Sequence, residues 1–153
     1  MACTAADIMS RNVISVKPEA GIREVAKLLY QKGISAVPVI DGAGKLVGIV
    51  SEGDLLMPFS AKTRSKREWW LNLLAEGERL APEFLEYIAS EHHTAADVMK
   101  RTVVTVTEDT DIEEISDLLT AHKIKRVPVM RGDQVVGIVS RADIVRVMAH
   151  RGN

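Results

Sequence analysis

Cysteine is nearly absent: Cys3 is the single thiol in 153 residues. A lone cysteine excludes an internal disulfide and fits a reducing compartment, so a cytoplasmic protein is expected. Long apolar runs are missing as well. None approaches the roughly 18 residues that a membrane span requires, so no membrane association is expected. An excess of either charge is also lacking. Net charge is -1, so no basic field exists to attract nucleic acid. The opening MACTAADIMS has no basic region followed by an apolar core, so no signal peptide is expected.

The motifs of common catalytic centres are equally scarce. The four histidines, His92, His93, His122 and His150, form no HExxH, and one cysteine cannot form Cys-x-x-Cys. No glycine-rich loop of the GxxxxGK type occurs. Cys3 has no evident activating neighbour. No catalytic residue, metal ligand or required cofactor is expected, and the chain reads as a non-enzyme.

What the sequence does contain is itself, twice. TAADIM at 4–9 matches TAADVM at 94–99, GISAVPVI at 33–40 matches KIKRVPVM at 123–130, and VGIVSEGDL at 47–55 matches VGIVSRADI at 136–144. The offset is 90 residues, then 89 beyond a turn in which DGAGKLVG is one residue longer than RGDQVVG. A length change confined to a turn preserves the elements on either side. The expected organisation is copy one over 1–57, an insert over 58–92 and copy two over 93–153.

Each copy has the same local signals. NVISV and TVVTV are short β-branched runs and predict brief strands. Ile22, Val25, Ala26, Leu28 and Leu29 recur at helical spacing, with Gly33 placed to end the helix; Ile112, Ile115, Leu118 and Leu119 repeat the stripe. Two apolar runs flanking a glycine-bearing turn predict a hairpin. Pro38 and Pro128 predict that their strands lie at an edge or are bulged. A last helix opens at Ser-x-x-Asp, which is a capping-box pattern. The order is β-α-β-β-α, and the fold class is α/β (α+β). The apolar strands call for cover on both faces. A unit of about 55 residues has a thin core, so the two are expected to pack together about a pseudo-two-fold axis.

The insert shows two helical patterns. Ser65 and Glu68 form a capping box ahead of Trp70, Leu73 and Leu74, with Gly77 at the end; Pro82 then precedes Phe84, Leu85 and Ile88. Lys62, Arg64, Lys66 and Arg67 precede Trp69 and Trp70. Basic residues beside aromatics suit single-stranded nucleic acid or a membrane surface. The acids that follow, from Glu76 to Glu91, make the surface mixed, so packing or dimer contact is the reading preferred.

TAADIM/TAADVM, the VPV strand and GIVS-x-x-D, each present twice and in order, resemble the cystathionine-β-synthase (CBS) domain family, whose paired copies form a Bateman module. The resemblance covers about 110 residues and omits the insert, which is similar to one in some bacterial CBS-pair proteins. It implies a regulatory module, a homodimer of CBS pairs, and an adenosine-containing ligand in a cleft between copies: AMP, ADP or ATP first, S-adenosylmethionine or NAD as alternatives. An unknown effector protein would be the target. For the first cleft it implies Thr4, Asp7, Met9, Ile34, Ser35, Ala36, Lys125, Arg126, Ser140 and Asp143. For a second, weaker cleft it implies Thr94, Asp97, Met99, Ile124, Ser51 and Asp54. In the resemblance, the Asp holds ribose hydroxyls, which charge-assisted hydrogen bonds suit. Lys125 and Arg126 suit phosphate. Ala142 and Gly53 stand where the family often has a hydroxyl, so one hydrogen bond fewer is expected at each site.

Two questions stay open from the sequence. Ser-x-x-Asp is read either as a helix cap or as a ligand grip, and the two uses compete for the Asp. Met9 and Met99 read as core residues before base contacts. The alternative function is a structural self-association module with unoccupied clefts.

Overall fold

A computed structural model describes residues 3–60 and 93–151. The expected helices of the insert, with Trp69 and Trp70, lie outside the described residues. In chain order the elements are α1 (Ala5–Ile8), α2 (Ile22–Lys32), β1 (Ala36–Ile40), β2 (Leu46–Ser51), α3 (Glu52–Ser60), α4 (Ala95–Val98), β3 (Val106–Thr107), α5 (Ile112–Ala121), β4 (Arg126–Arg131), β5 (Gln134–Ser140) and α6 (Arg141–Arg151). The mixture of helix and strand is α+β.

These elements fall into two compact units that do not follow chain order. The first gathers the described residues of Met1–Ser15, Ile40–Val47 and Thr102–Asn153; the second gathers those of Val16–Val39 and Gly48–Arg101. Each unit therefore combines the opening segment of one copy with the helix and strands of the other.

In the first unit, β3, β4 and β5 form a sheet in that order, β3 parallel to β4 and β4 antiparallel to β5. Its core is Ala5, Met9, Val106, Ile115, Leu119, Val127, Val129 and Val139. α5 supplies Ile115 and Leu119 because its apolar residues recur every three to four positions, and Asp111 caps it by accepting from Glu114 N–H at 2.9 Å. In the second unit, Val16, Ile22, Val25, Leu29, Val37, Val39, Val50 and Ala95 are buried. α2 ends at Gly33, whose φ of 63° is the left-handed turn that closes a helix. At the matching position of copy two, Lys123 takes φ 54° without being a glycine.

The first strand of each copy is shorter than its β-branched run predicts. NVISV contributes one bridge, Val16 to Val39, and TVVTV joins a strand only at Val106. The prolines explain this. Val16 N–H donates to the Pro38 carbonyl at 3.1 Å, but the N–H that would continue this parallel ladder toward Ile14 belongs to Pro38 and does not exist. Pro128 has the same relation to Val104. The proline strand β4 is thus not an edge strand: it lies in the middle of its sheet, with the register shift one residue on, between Val129 and Met130.

Candidate functional site

Four short segments share one local device. In each, a Ser or Thr precedes a helix, and an Asp three residues on folds back over it. Asp143 Oδ2 accepts from Ser140 N–H at 2.8 Å and from Ser140 Oγ at 3.0 Å, while Ser140 Oγ accepts from Asp143 N–H at 3.3 Å. Asp54 Oδ2 does the same with Ser51 at 2.8 and 2.9 Å, and Asp54 N–H returns a bond at 3.3 Å. Asp7 and Asp97 close equivalent boxes on Thr4 and Thr94. The donors from Thr94, backbone first and hydroxyl second, hold the Asp97 carboxyl below the ordinary Asp value. Such boxes satisfy amide groups that a helix start leaves open.

The capping role does not consume the whole carboxylate. Both bonds from Ser140 converge on one oxygen, Oδ2. The other, Oδ1, accepts from Arg146 Nη1 at 3.2 Å, and that arginine is 64% exposed. Asp54 divides its oxygens in the same way, but its Oδ1 faces Lys100 Nζ at 3.9 Å. The cap therefore occupies one oxygen of each carboxylate, and a side-chain cation meets the other.

The duplicated opening segments position what surrounds these boxes. Ser10 exchanges two backbone hydrogen bonds with Ile138, at 2.9 and 3.0 Å, along the outer edge of β5. Lys100 does so with Ile49 of β2, also at 2.9 and 3.0 Å. Each bridge sets a methionine onto a glycine of that strand, Met9 against Gly137 and Met99 against Gly48. Both methionines thus pack on the backbone of the other copy; Met9 is 8% exposed. The residues ahead of the VPV strands reach the boxes through backbone: the Lys125 carbonyl accepts from Arg141 N–H, and the Ser35 carbonyl from Glu52 N–H, both at 2.9 Å.

The first unit brings together Thr4, Asp7, Met9, Ile124, Lys125, Arg126, Ser140 and Asp143. Thr94, Asp97, Met99, Ser51, Asp54, Ile34, Ser35 and Ala36 belong to the second. Lys125 is exposed and Arg126 half-buried. Within the first unit a cavity of about 330 Å³ is lined by Cys3, Asp7, Ile8, Asp143, Arg146, Val147 and His150. Five of these, Cys3, Ile8, Arg146, Val147 and His150, were not among the candidates. Arg146, Val147 and His150 were legible, since they follow Asp143 on the helix at spacings of three, four and seven. Lys100 beside Asp54 was not legible, because the contact depends on which sheet the segment joins. Among the described residues no group of three His, Cys, Asp or Glu side chains is placed to hold a metal ion, and no helix is long and apolar enough to cross a membrane.

Comparison with known proteins agrees with this architecture. The CBS domain family matches residues 5–60 and again 95–150. The chain is 31% identical over 150 residues to the chloroplastic CBS domain-containing protein CBSX2 of Arabidopsis thaliana, over 94% of this chain and 62% of that protein's length. The crystal structure of CBSX2 in complex with AMP is similar at 25% identity and a TM-score of 0.72, covering 98% of each chain. The CBS domain pair of protein MJ0100, in complex with 5′-methylthioadenosine and S-adenosyl-L-methionine, is similar at 26% identity and a TM-score of 0.70, covering 99% of each. With the exchanged opening segments, the two hairpins and the two Ser-x-x-Asp helices all present, this chain belongs to the CBS domain family and carries two copies of the domain.

Proposed function

We propose that this chain is a regulatory sensor of an adenosine-containing nucleotide, AMP, ADP or ATP before S-adenosylmethionine or NAD, gripped at Ser140 and Asp143. The observation that carries the reading is the division between the two Asp143 oxygens. Oδ2 is fixed in the cap, which sets the direction of the carboxylate, and Oδ1 is held by an exposed arginine that a ribose hydroxyl can replace. The solved relatives with AMP, and with 5′-methylthioadenosine and S-adenosyl-L-methionine, support the adenosine class. Lys125 and Arg126 in the same unit favour a phosphorylated ligand. The remaining contacts proposed are Thr4, Asp7 and Met9 of the same unit. In this reading the chain is regulatory rather than catalytic, requires no cofactor, and acts as a cytoplasmic homodimer on an effector protein. Binding shifts its conformational equilibrium only by the difference in ligand affinity between states.

The test is thermal melting with each nucleotide in excess. A ligand at about 100 times its Kd adds roughly 2.7 kcal/mol of stability. AMP, ADP or ATP is expected to raise the melting temperature, and Asp143→Asn to abolish the rise. No response to any adenosine compound refutes the reading.

A second reading, self-association without a ligand, is favoured by one surface. α5 and α6 flank a groove of about 500 Å³ containing Leu119, Ile124, Ile144, Val145 and Met148, and Val145 and Met148 are 62% and 67% exposed. Light scattering on Val145→Asp, with nucleotide titration of the unaltered chain, separates the two: the second reading expects the variant to dissociate and the unaltered chain to bind no nucleotide.

A further inference from the structure

The two Ser-x-x-Asp boxes have the same cap hydrogen bonds to within 0.1 Å but differ in the cation that meets the second oxygen. At Asp143 it is Arg146, three residues along the same helix and bound to no fixed backbone partner beyond that helix. The equivalent of Arg146 in copy one is Met57, so Asp54 has no such neighbour on α3. Its cation comes instead from the opening segment of the other copy. Lys100 stands where copy one has Ser10, and its backbone is clamped to Ile49 by two hydrogen bonds.

Burial makes this difference matter. Asp54 is 4% exposed, against 12% for the Asp143 side chain. A carboxylate so far removed from water loses stabilisation if its cation leaves, because screening is weak there. Either cation can rotate away without moving backbone, so the difference lies in the carboxylate: the more deeply buried Asp54 loses more when its cation leaves. Lys100 is kept beside the box by its backbone bonds to Ile49, and Met99 next to it is packed against Gly48. Its side chain is 68% exposed, and its ammonium faces Asp54 Oδ1 at 3.9 Å.

We propose that Lys100 closes the Ser51/Asp54 box as a structural clasp, so that the chain takes one adenosine ligand, at Ser140/Asp143, and not two. This rests on the nucleotide reading above. It makes Lys100 the residue that sets site number, and serine at that position, as in copy one, the state that leaves a box open.

Isothermal titration of AMP into the full chain is the test. One site per chain is expected. Asp143→Asn should weaken AMP by about tenfold or more, Asp54→Asn should leave affinity within about twofold, and Lys100→Ser should raise the stoichiometry to two. Two sites in the unaltered chain, a loss of AMP binding in Asp54→Asn, or a single site in Lys100→Ser overturns the proposal. If the unaltered chain gives no heat with AMP, the AMP form of the nucleotide reading fails, and the clasp is judged without ligand. Melting temperatures of Lys100→Ser, Asp54→Asn and the double variant are then compared. Non-additive shifts sustain the clasp, and additive shifts overturn it.

Discussion

Replacing Gly48 by alanine probes the packing on which the site depends. A Cβ at Gly48 would press on Met99 Sδ, and would sit 2.8 Å from Met99 Cγ and 2.9 Å from the Lys100 carbonyl oxygen. The sulfur can swing aside, but the carbonyl cannot do so cheaply, since it accepts the Ile49 N–H at 3.0 Å. Overpacking of this kind costs about 1–3 kcal/mol. Alanine returns roughly 0.5–1 kcal/mol by restricting the unfolded chain. The net loss is about 1–2 kcal/mol, and the melting temperature of a chain this long should fall by roughly 3–6 °C. Gly53→Ala is the control. Its nearest neighbour would be Ser51 Oγ at 3.7 Å, an ordinary contact, and it lies in α3, so alanine there should stabilise by up to about 1 kcal/mol. Thermal unfolding followed by circular dichroism reads both. If Gly48→Ala melts at or above the unaltered chain, the opening segment of copy two does not lie on β2 as described.

Two further outcomes follow from local geometry. Lys123 holds a left-handed φ of 54° that its counterpart Gly33 adopts freely; Lys123→Gly should stabilise by roughly 0.5–1 kcal/mol in urea titration, and any loss would show that the lysine side chain has an unrecognised structural contact. Asp97 has its carboxyl depressed by Thr94, so the folded chain holds this proton less tightly than the unfolded chain does. Its contribution is present above the unfolded Asp value and is lost as pH falls through the lower folded value. Asp97→Asn should therefore flatten the acid side of the curve of melting temperature against pH, and leave the slope near neutrality unchanged. An identical acid limb in the variant refutes the assignment.

Much of this fold is legible from sequence because its signals are local. Gly33 ends α2, Asp111 starts α5, and the Ser-x-x-Asp boxes open α3 and α6; each depends on residues within four positions of one another. The repeat itself exposes the β-α-β-β-α order. The shortness of the first strands was legible in principle, since Pro38 and Pro128 remove the donors that a longer parallel ladder needs, but only once the pairing was known. The site was partly legible. Ser140 and Asp143 stood out by repetition and their spacing made the cap legible, but the division of the carboxylate, one oxygen to the cap and the other to Arg146, was not, because a sequence does not distinguish the two oxygens.

What the sequence by itself determined is therefore the inventory: two copies, their elements, their caps and their turns. Tertiary structure decided the pairing. TAADIM and TAADVM are nearly identical, and so are the glycine strands they cover, so either segment is chemically suited to either sheet. Local propensity cannot break that degeneracy. It is broken by long-range packing, which lays Met9 on Gly137 and Met99 on Gly48. The same choice brings Lys100, and not Ser10, to the side of Asp54, and so makes two boxes with the same motif physically different.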